Sequence, residues 1–111
     1  MISTHVLDTS IGRPAAGIRV ILEREDDGAW HRQADRVTDA DGRARDLMPV
    51  DAPRRAGRYR LTFDVAAYFA GRGVEGFFPS VIIVFDIRDA AQHHHVPLLL
   101  SPFGYSTYRG S

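Results

Sequence analysis

The 111-residue sequence contains no cysteine and, among its 14 basic side chains, no lysine: every one is arginine. Without cysteine there can be no disulfide, no thiolate zinc site and no thiol nucleophile. Without lysine there is neither Schiff-base chemistry nor a phosphate-loop lysine. The chain also lacks any apolar run near the roughly 20 residues that a membrane span needs. It lacks an excess of either charge, since 14 Asp and Glu cancel the 14 Arg. The arginines are interleaved with acidic residues, so nothing forms the basic patch expected of a nucleic-acid-binding domain. The opening MISTHVLDTS has no basic segment followed by an apolar core, and the expectation is a cytoplasmic chain. Chemistry must come from His, Arg, Asp, Glu, Ser, Thr, Tyr and chain ends.

What is present reads as one domain, residues 1–111, of short strands. A domain this size buries about two-thirds of its unfolded surface, enough for one modest core. In GIRVILERE, Ile18, Val20 and Leu22 share one strand face, while Arg19, Ile21 and Glu23 share the other. Asp26–Gly28 supplies a hairpin turn, with Trp30 to Thr38 returning, and Asp39–Gly42 a second turn. GRYRLTFDV places Tyr59, Leu61 and Phe63 inward. VIIVFDI is β-branched and apolar enough to predict a central strand. HHHVPLLLSP and GYSTYRG supply two more strands, Pro97 marking the first as an edge or bulge. Asp64 can cap one short helix over Val65–Ala70, ended by Gly71 and Gly73. The fold class is all-β, a sandwich with one helical turn.

Five histidines are the first candidates for chemistry. His93 and His95 share a strand face and His94 points the other way. The pattern admits solvated or core-satisfied histidines, a zinc site using His93 and His95, or acid–base catalysis. Arg43, just after a turn, is either a solvated charge or a bidentate donor to a planar amide or anion. The ending YSTYRGS carries an aromatic and an Arg close to the last residue, where chains usually fray. That composition suggests a docked terminus.

The segments STHVLDTSIGRPAAGIRVILE, TDADGR, FFPSVIIVF and HVPLLLSPFGYSTYRGS resemble the 5-hydroxyisourate hydrolase family, transthyretin-like enzymes of urate breakdown. The resemblance runs from Ser3 to Ser111. The terminal YRGS is its most specific element, because it separates the enzymes from the hormone carriers that share their fold. The resemblance implies a transthyretin-like sandwich of two four-stranded sheets with one short helix. It implies a homotetramer, a dimer of dimers, with active sites at the dimer–dimer interface. The implied reaction is hydrolysis of 5-hydroxyisourate to 2-oxo-4-hydroxy-4-carboxy-5-ureidoimidazoline, on the route to allantoin, with no cofactor, no metal and no covalent intermediate.

Residue by residue, the resemblance implies that His5, Arg43 and His95 are catalytic. Tyr108, Arg109, Gly110 and Ser111 are the substrate-binding tetrapeptide, and His93 stands behind the catalytic set. His94, where relatives commonly carry an aromatic residue, and Ser80, where they are often acidic, depart from the pattern. Which of His5 and His95 is the base stays open, as does whether Ser111 acts through its hydroxyl or a carboxylate. A carrier holding a small ligand in a tetramer channel would predict neither YRGS nor the His/Arg/His set. Residue patterns without the resemblance also admit a zinc-binding β module or a generic interaction sandwich.

Overall fold

Alternation of apolar and polar residues builds the first sheet. Strand β3 (Arg19–Asp26) buries Val20 and Leu22, and β6 (Gly57–Phe63) buries Tyr59, Leu61 and Phe63. The two pair antiparallel with Leu22 opposite Leu61 and Val20 opposite Phe63, so both apolar faces point the same way. β4 (Ala29–Val37) returns from β3 through Asp27 and Gly28, both at positive φ (51° and 76°), the geometry of a type I′ hairpin. β7 (Val81–Ile87) completes the order β4-β3-β6-β7. The computed structural model describes residues 2–48, 53 and 55–111.

The second sheet is organised around β1 (Ile2–Asp8) and β8 (His94–Ser101), which pair in parallel from Ile2 opposite His94 to Asp8 opposite Leu100. β9 (Gly104–Thr107) flanks β8. Two two-residue strands, β2 (Arg13–Pro14) and β5 (Arg43–Ala44), share the other edge of β1. The expected pair of sheets is therefore present, the second counting five strands because two short ones occupy one edge position. Between the sheets lies a single core that includes Val6, Ile18, Leu22, Tyr59, Leu61, Phe63, Leu98 and Leu100.

Two expectations are corrected. β7 is an edge strand, not a central one. Its residues alternate: Val81, Ile83 and Ile87 are buried, but Ile82 and Val84 face outward and are half exposed. Pro97 lies in β8, a strand paired on both sides, and makes it neither an edge nor a bulge. Its carbonyl accepts from the Thr107 hydroxyl at 2.7 Å, which places its missing N–H on the β9 side. There the ladder begins only at Leu98, and the isolated bridge His95–Gly110 resumes beyond the gap. No backbone donor is needed at that point.

The short helix α1 (Val65–Gly71) is capped by Asp64, whose carboxylate accepts from the Ala67 amide at 3.3 Å, and Gly73 follows at φ 68°. Val65 and Phe69 are its buried face. Tyr68 and Arg72, also four residues apart, reach the fully buried Asp8, each at 2.8 Å from Oδ2. Ser10 donates to Oδ1 of the same carboxylate through both its amide and its hydroxyl. Among the described residues, no helix is long and apolar enough to cross a membrane.

Burial pushes the Asp8 carboxyl up, but the hydrogen bonds from Ser10 and Tyr68 and the Arg72 charge outweigh it, so its pKa lies below the ordinary 3.8. A depressed carboxyl stabilises the fold above its unfolded pKa and stops doing so as pH falls through the folded value. Asp8→Ala, which strands the Tyr68 hydroxyl and the Arg72 cation, should cost about 2–4 kcal/mol at pH 7. Urea denaturation of both proteins should show the gap closing only below about pH 4. A gap that was absent at pH 7 would show that α1 is held by apolar packing alone.

Candidate active site

The site is assembled on the outer face of the second sheet. Ile2, Thr4, Val6 and Asp8 of β1 point into the sandwich, which turns Ser3, His5 and Leu7 outward. Parallel pairing sets His95 beside Ser3 and Pro97 beside His5, on that same face. Arg43 is opposite His5 across the β1–β5 ladder. Three segments far apart in sequence thus place His5, Arg43 and His95 together. The turn before Arg43 is tightly fixed. Gly42 sits at φ 73°, and a Cβ there would collide with the Val6 carbonyl oxygen, so only glycine fits. The Asp39 carboxylate accepts from the Asp41 and Arg43 amides at 2.9 and 3.0 Å. These bonds, the Arg43 amide first, hold the Asp39 carboxyl below its ordinary pKa.

A shallow cavity of about 320 Å³ lies on this face, lined by Ser3, Thr4, Arg43, Arg45, His93, His95 and Ser111. His5 flanks it from the next outward position of β1. Inside it, Ser3 Oγ lies 2.8 Å from His95 Nδ1 and 3.1 Å from His93 Nε2. The two imidazole rings stack, with centroids 6.3 Å apart and 20° between planes. The pKa of His95 is lowered from its ordinary 6.5, first by burial and then by the charges of Arg43, His93 and His5, which outweigh the opposing contribution of the Ser3 backbone. That direction favours the neutral imidazole, the form able to accept a proton. Among the described residues no three His, Asp or Glu side chains are grouped to hold a metal ion.

His94 faces the other way. It is buried, its Nδ1–H donates to the Gln92 carbonyl at 3.0 Å, and burial lowers its pKa. The terminal tetrapeptide is divided. The Gly110 amide donates to the His95 carbonyl at 2.8 Å, docking the chain end, and Ser111 reaches the cavity. Tyr108 and Arg109 instead line a separate, more apolar cavity of about 280 Å³ with Ile83, Val84, His94 and Val96, at the open edge between the sheets. There Arg109 Nη2 donates to Gln92 Oε1 at 3.1 Å. Ser3 and Arg45 also line the site and are not singled out by sequence patterns. The available signal for Ser3 was its position two residues before His5, which puts both on one face of a strand.

The model of the HIUase/Transthyretin family matches residues 2–110. A 5-hydroxyisourate hydrolase of Salmonella dublin is 43% identical over 111 residues, spanning 100% of this chain and 81% of that protein. One of Mesorhizobium japonicum is 46% identical over 114 residues, spanning 99% and 91%. The chain belongs to the HIUase/Transthyretin family. Its fold is the prealbumin-like sandwich of that family. The solved Klebsiella pneumoniae 5-hydroxyisourate hydrolase superposes with a TM-score of 0.85 at 44% identity, covering 99% of this chain and 92% of the other. Sea bream transthyretin in complex with thyroxine superposes with 0.89 at 34% identity, covering 98% and 93%. Similar backbones in the HIUase/Transthyretin family thus include both hydrolases and a thyroxine-binding protein, and side chains must distinguish the two.

The docked terminus can be probed directly. A Cβ at Gly110 would lie 2.6 Å from His95 Cδ2 and 3.2 Å from Pro97 Cγ, leaving no room for a methyl group. Gly110→Ala should release the last residues, seen as accelerated amide hydrogen exchange at position 110, while the thermal midpoint shifts little. Unchanged protection there would show that the terminus is not held by this bond.

Proposed function

We propose that this chain hydrolyses 5-hydroxyisourate, opening its six-membered ring to give 2-oxo-4-hydroxy-4-carboxy-5-ureidoimidazoline. The observation that carries the reading is the convergence of His95, Arg43 and His5 on one outer face, with Ser111 of the docked terminus at the same cavity. Full-length similarity to proteins named 5-hydroxyisourate hydrolase supports it. A carrier has no need of this set. In the proposed mechanism, the free Nε2 of His95 takes a proton from water as its oxygen bonds to a ring carbonyl carbon. Negative charge develops on that carbonyl oxygen, and the Arg43 guanidinium stabilises it. Collapse of the adduct breaks the carbon–nitrogen bond, and the proton passes to the departing nitrogen. His5, beside Arg43, orients the substrate or delivers that proton.

The cavity is open, as expected of a site whose remaining wall comes from another subunit. We infer a homotetramer, a dimer of dimers, with the reaction at the dimer–dimer interface. Outward Ile82 and Val84 on the edge strand β7 and exposed Tyr105 on β9 are apolar surface that association would cover. Tyr108 and Arg109 act indirectly, anchoring the last residues so that Ser111 stays in place.

The test is spectroscopic: decay of freshly generated 5-hydroxyisourate with and without the protein. The protein should accelerate it. His95→Ala and His5→Asn should each lower turnover by about 10²–10⁴-fold in proteins of unchanged secondary structure. Identical decay with and without the wild-type protein would end the enzyme reading. Because the neutral imidazole is the active form and its pKa is depressed, the acid limb of kcat/KM should fall below pH 6.5. An acid limb above that value would assign the base elsewhere. Sedimentation equilibrium should give four copies, and a stable monomer of full activity would refute the interface assignment.

A further inference from the structure

Ser3 is buried on the outer face of β1, and its hydroxyl oxygen meets two imidazoles at once. A hydroxyl has one proton. Placed between two ring nitrogens, it donates to one and accepts from the other. The row therefore has only two polarities. In one, His95 Nδ1–H donates to Ser3 and the Ser3 hydroxyl donates to His93 Nε2, which leaves His95 Nε2 with a free lone pair. In the other, both bonds reverse, and His95 Nε2 carries a proton.

We propose that Ser3 and His93 are positioning residues forming a proton relay behind His95: the resting polarity makes His95 Nε2 a base, and reversal of the row moves the acquired charge out to His93. This deepens the proposed hydrolysis and rests on it. When His95 Nε2 takes a proton from water, the ring is momentarily a cation. Its Nδ1 proton then passes to Ser3 Oγ as the Ser3 proton passes to His93 Nε2. His95 is left neutral with its proton on Nε2, Ser3 again has one proton, and His93 is a cation. When Nε2 gives its proton to the departing nitrogen the row runs back: the Ser3 proton returns to His95 Nδ1 as the His93 Nε2 proton returns to Ser3, so both imidazoles end neutral. No proton is created or lost.

The direction of transfer follows from the surroundings. Burial and the facing charge of Arg43 oppose a cation on His95, and Arg45 lines the same cavity. His93 is exposed, where water solvates the charge. The stacked rings keep the two imidazoles aligned on the one hydroxyl. His94, the intervening residue, takes no part because alternation turns it into the core, where its Nδ1–H is committed to the Gln92 carbonyl.

The experiment reads the tautomer separately from the reaction. In long-range ¹H–¹⁵N NMR at neutral pH, His95 of the wild-type protein should show a protonated Nδ1 and an unprotonated Nε2. Ser3→Ala should convert it to a mixture of tautomers, and Ser3→Thr, which keeps the hydroxyl, should restore the wild-type pattern. With 5-hydroxyisourate, Ser3→Ala should lose at least about tenfold in kcat with KM little changed, and Ser3→Thr should retain most of it. A wild-type His95 protonated on Nε2, or a Ser3→Ala protein with the wild-type tautomer and kcat, overturns the relay. Wild-type protein that shows the expected tautomer yet leaves substrate decay unchanged overturns the proposed reaction and the relay's role in it. The hydrogen-bonded row would then stand as a structural feature.

Discussion

Everything at the site depends on the register of β1 against β8. The two strands pair in parallel over seven positions, and alternation with a period of two means that a slip by one residue would exchange their faces. His5 and the outward imidazoles would turn into the core, while Val6, Leu98 and Leu100 would be driven into water at about 1.5–3 kcal/mol each. Apolar burial is not the only thing that fixes the register. Thr4 Oγ1 donates to the Val96 carbonyl at 2.6 Å, and the Thr9 amide to that of Leu100 at 2.8 Å. At the far end of β1, Asp8 is tied to the helix through Tyr68 and Arg72. The helix touches no substrate in the proposed reaction, yet it helps decide which side chains of β1 face outward.

That arrangement also makes one face cationic in a chain of zero net charge. The cavity lining contains Arg43, Arg45 and two imidazoles but no Asp or Glu. Elsewhere four arginines are paired with carboxylates: Arg19 with Asp35, Arg58 with Asp86, Arg60 with Glu23 and Arg72 with Asp8. Arg45 leans toward Asp39 and Asp41 at 4.0 Å, whereas Arg43 has no such ion pair among the described residues. Global balance favours association between copies, and local imbalance favours a ligand rich in carbonyl oxygen or negative charge. The first property concerns the whole surface and the second only the outer face of one sheet.

The inward faces of β3 and β6, the Asp-Gly hairpin and the Asp64 cap could be read directly, because strict alternation and turn chemistry are local. The strand that organises the site could not. Its inward positions are Ile2, Thr4, Val6 and Asp8, half of them polar, so ISTHVLD does not look like a half-buried strand until its partners are known. Those partners, the Val96 carbonyl and the Tyr68 and Arg72 side chains, lie about 60 to 90 residues away. Pro97 misleads for the converse reason. A proline argues against a strand paired on both sides unless its missing donor meets a gap, and here the gap comes from the path of the chain after Thr107. Similarity by segment identified His5, Arg43 and His95 as candidates, but it treated the terminal tetrapeptide as one unit. The structure divides it, with Tyr108 and Arg109 at one cavity and Ser111 at another.

Three consecutive histidines show how depth separates residues that sequence makes identical. His93 is exposed, His94 is buried with its Nδ1–H committed to a backbone carbonyl, and His95 lies between these extremes. An imidazole wholly in water is protonated in competition with solvent, and one wholly buried cannot reach a substrate. Only at intermediate depth can a ring be held neutral by its surroundings and still present a nitrogen to a cavity. Strand alternation sends His94 to the opposite side, and Ser3 links the remaining two. Position along a strand thus decides which face a histidine occupies, and depth on that face decides how far it is shielded from water. The single hydroxyl between His93 and His95 is where those two constraints meet.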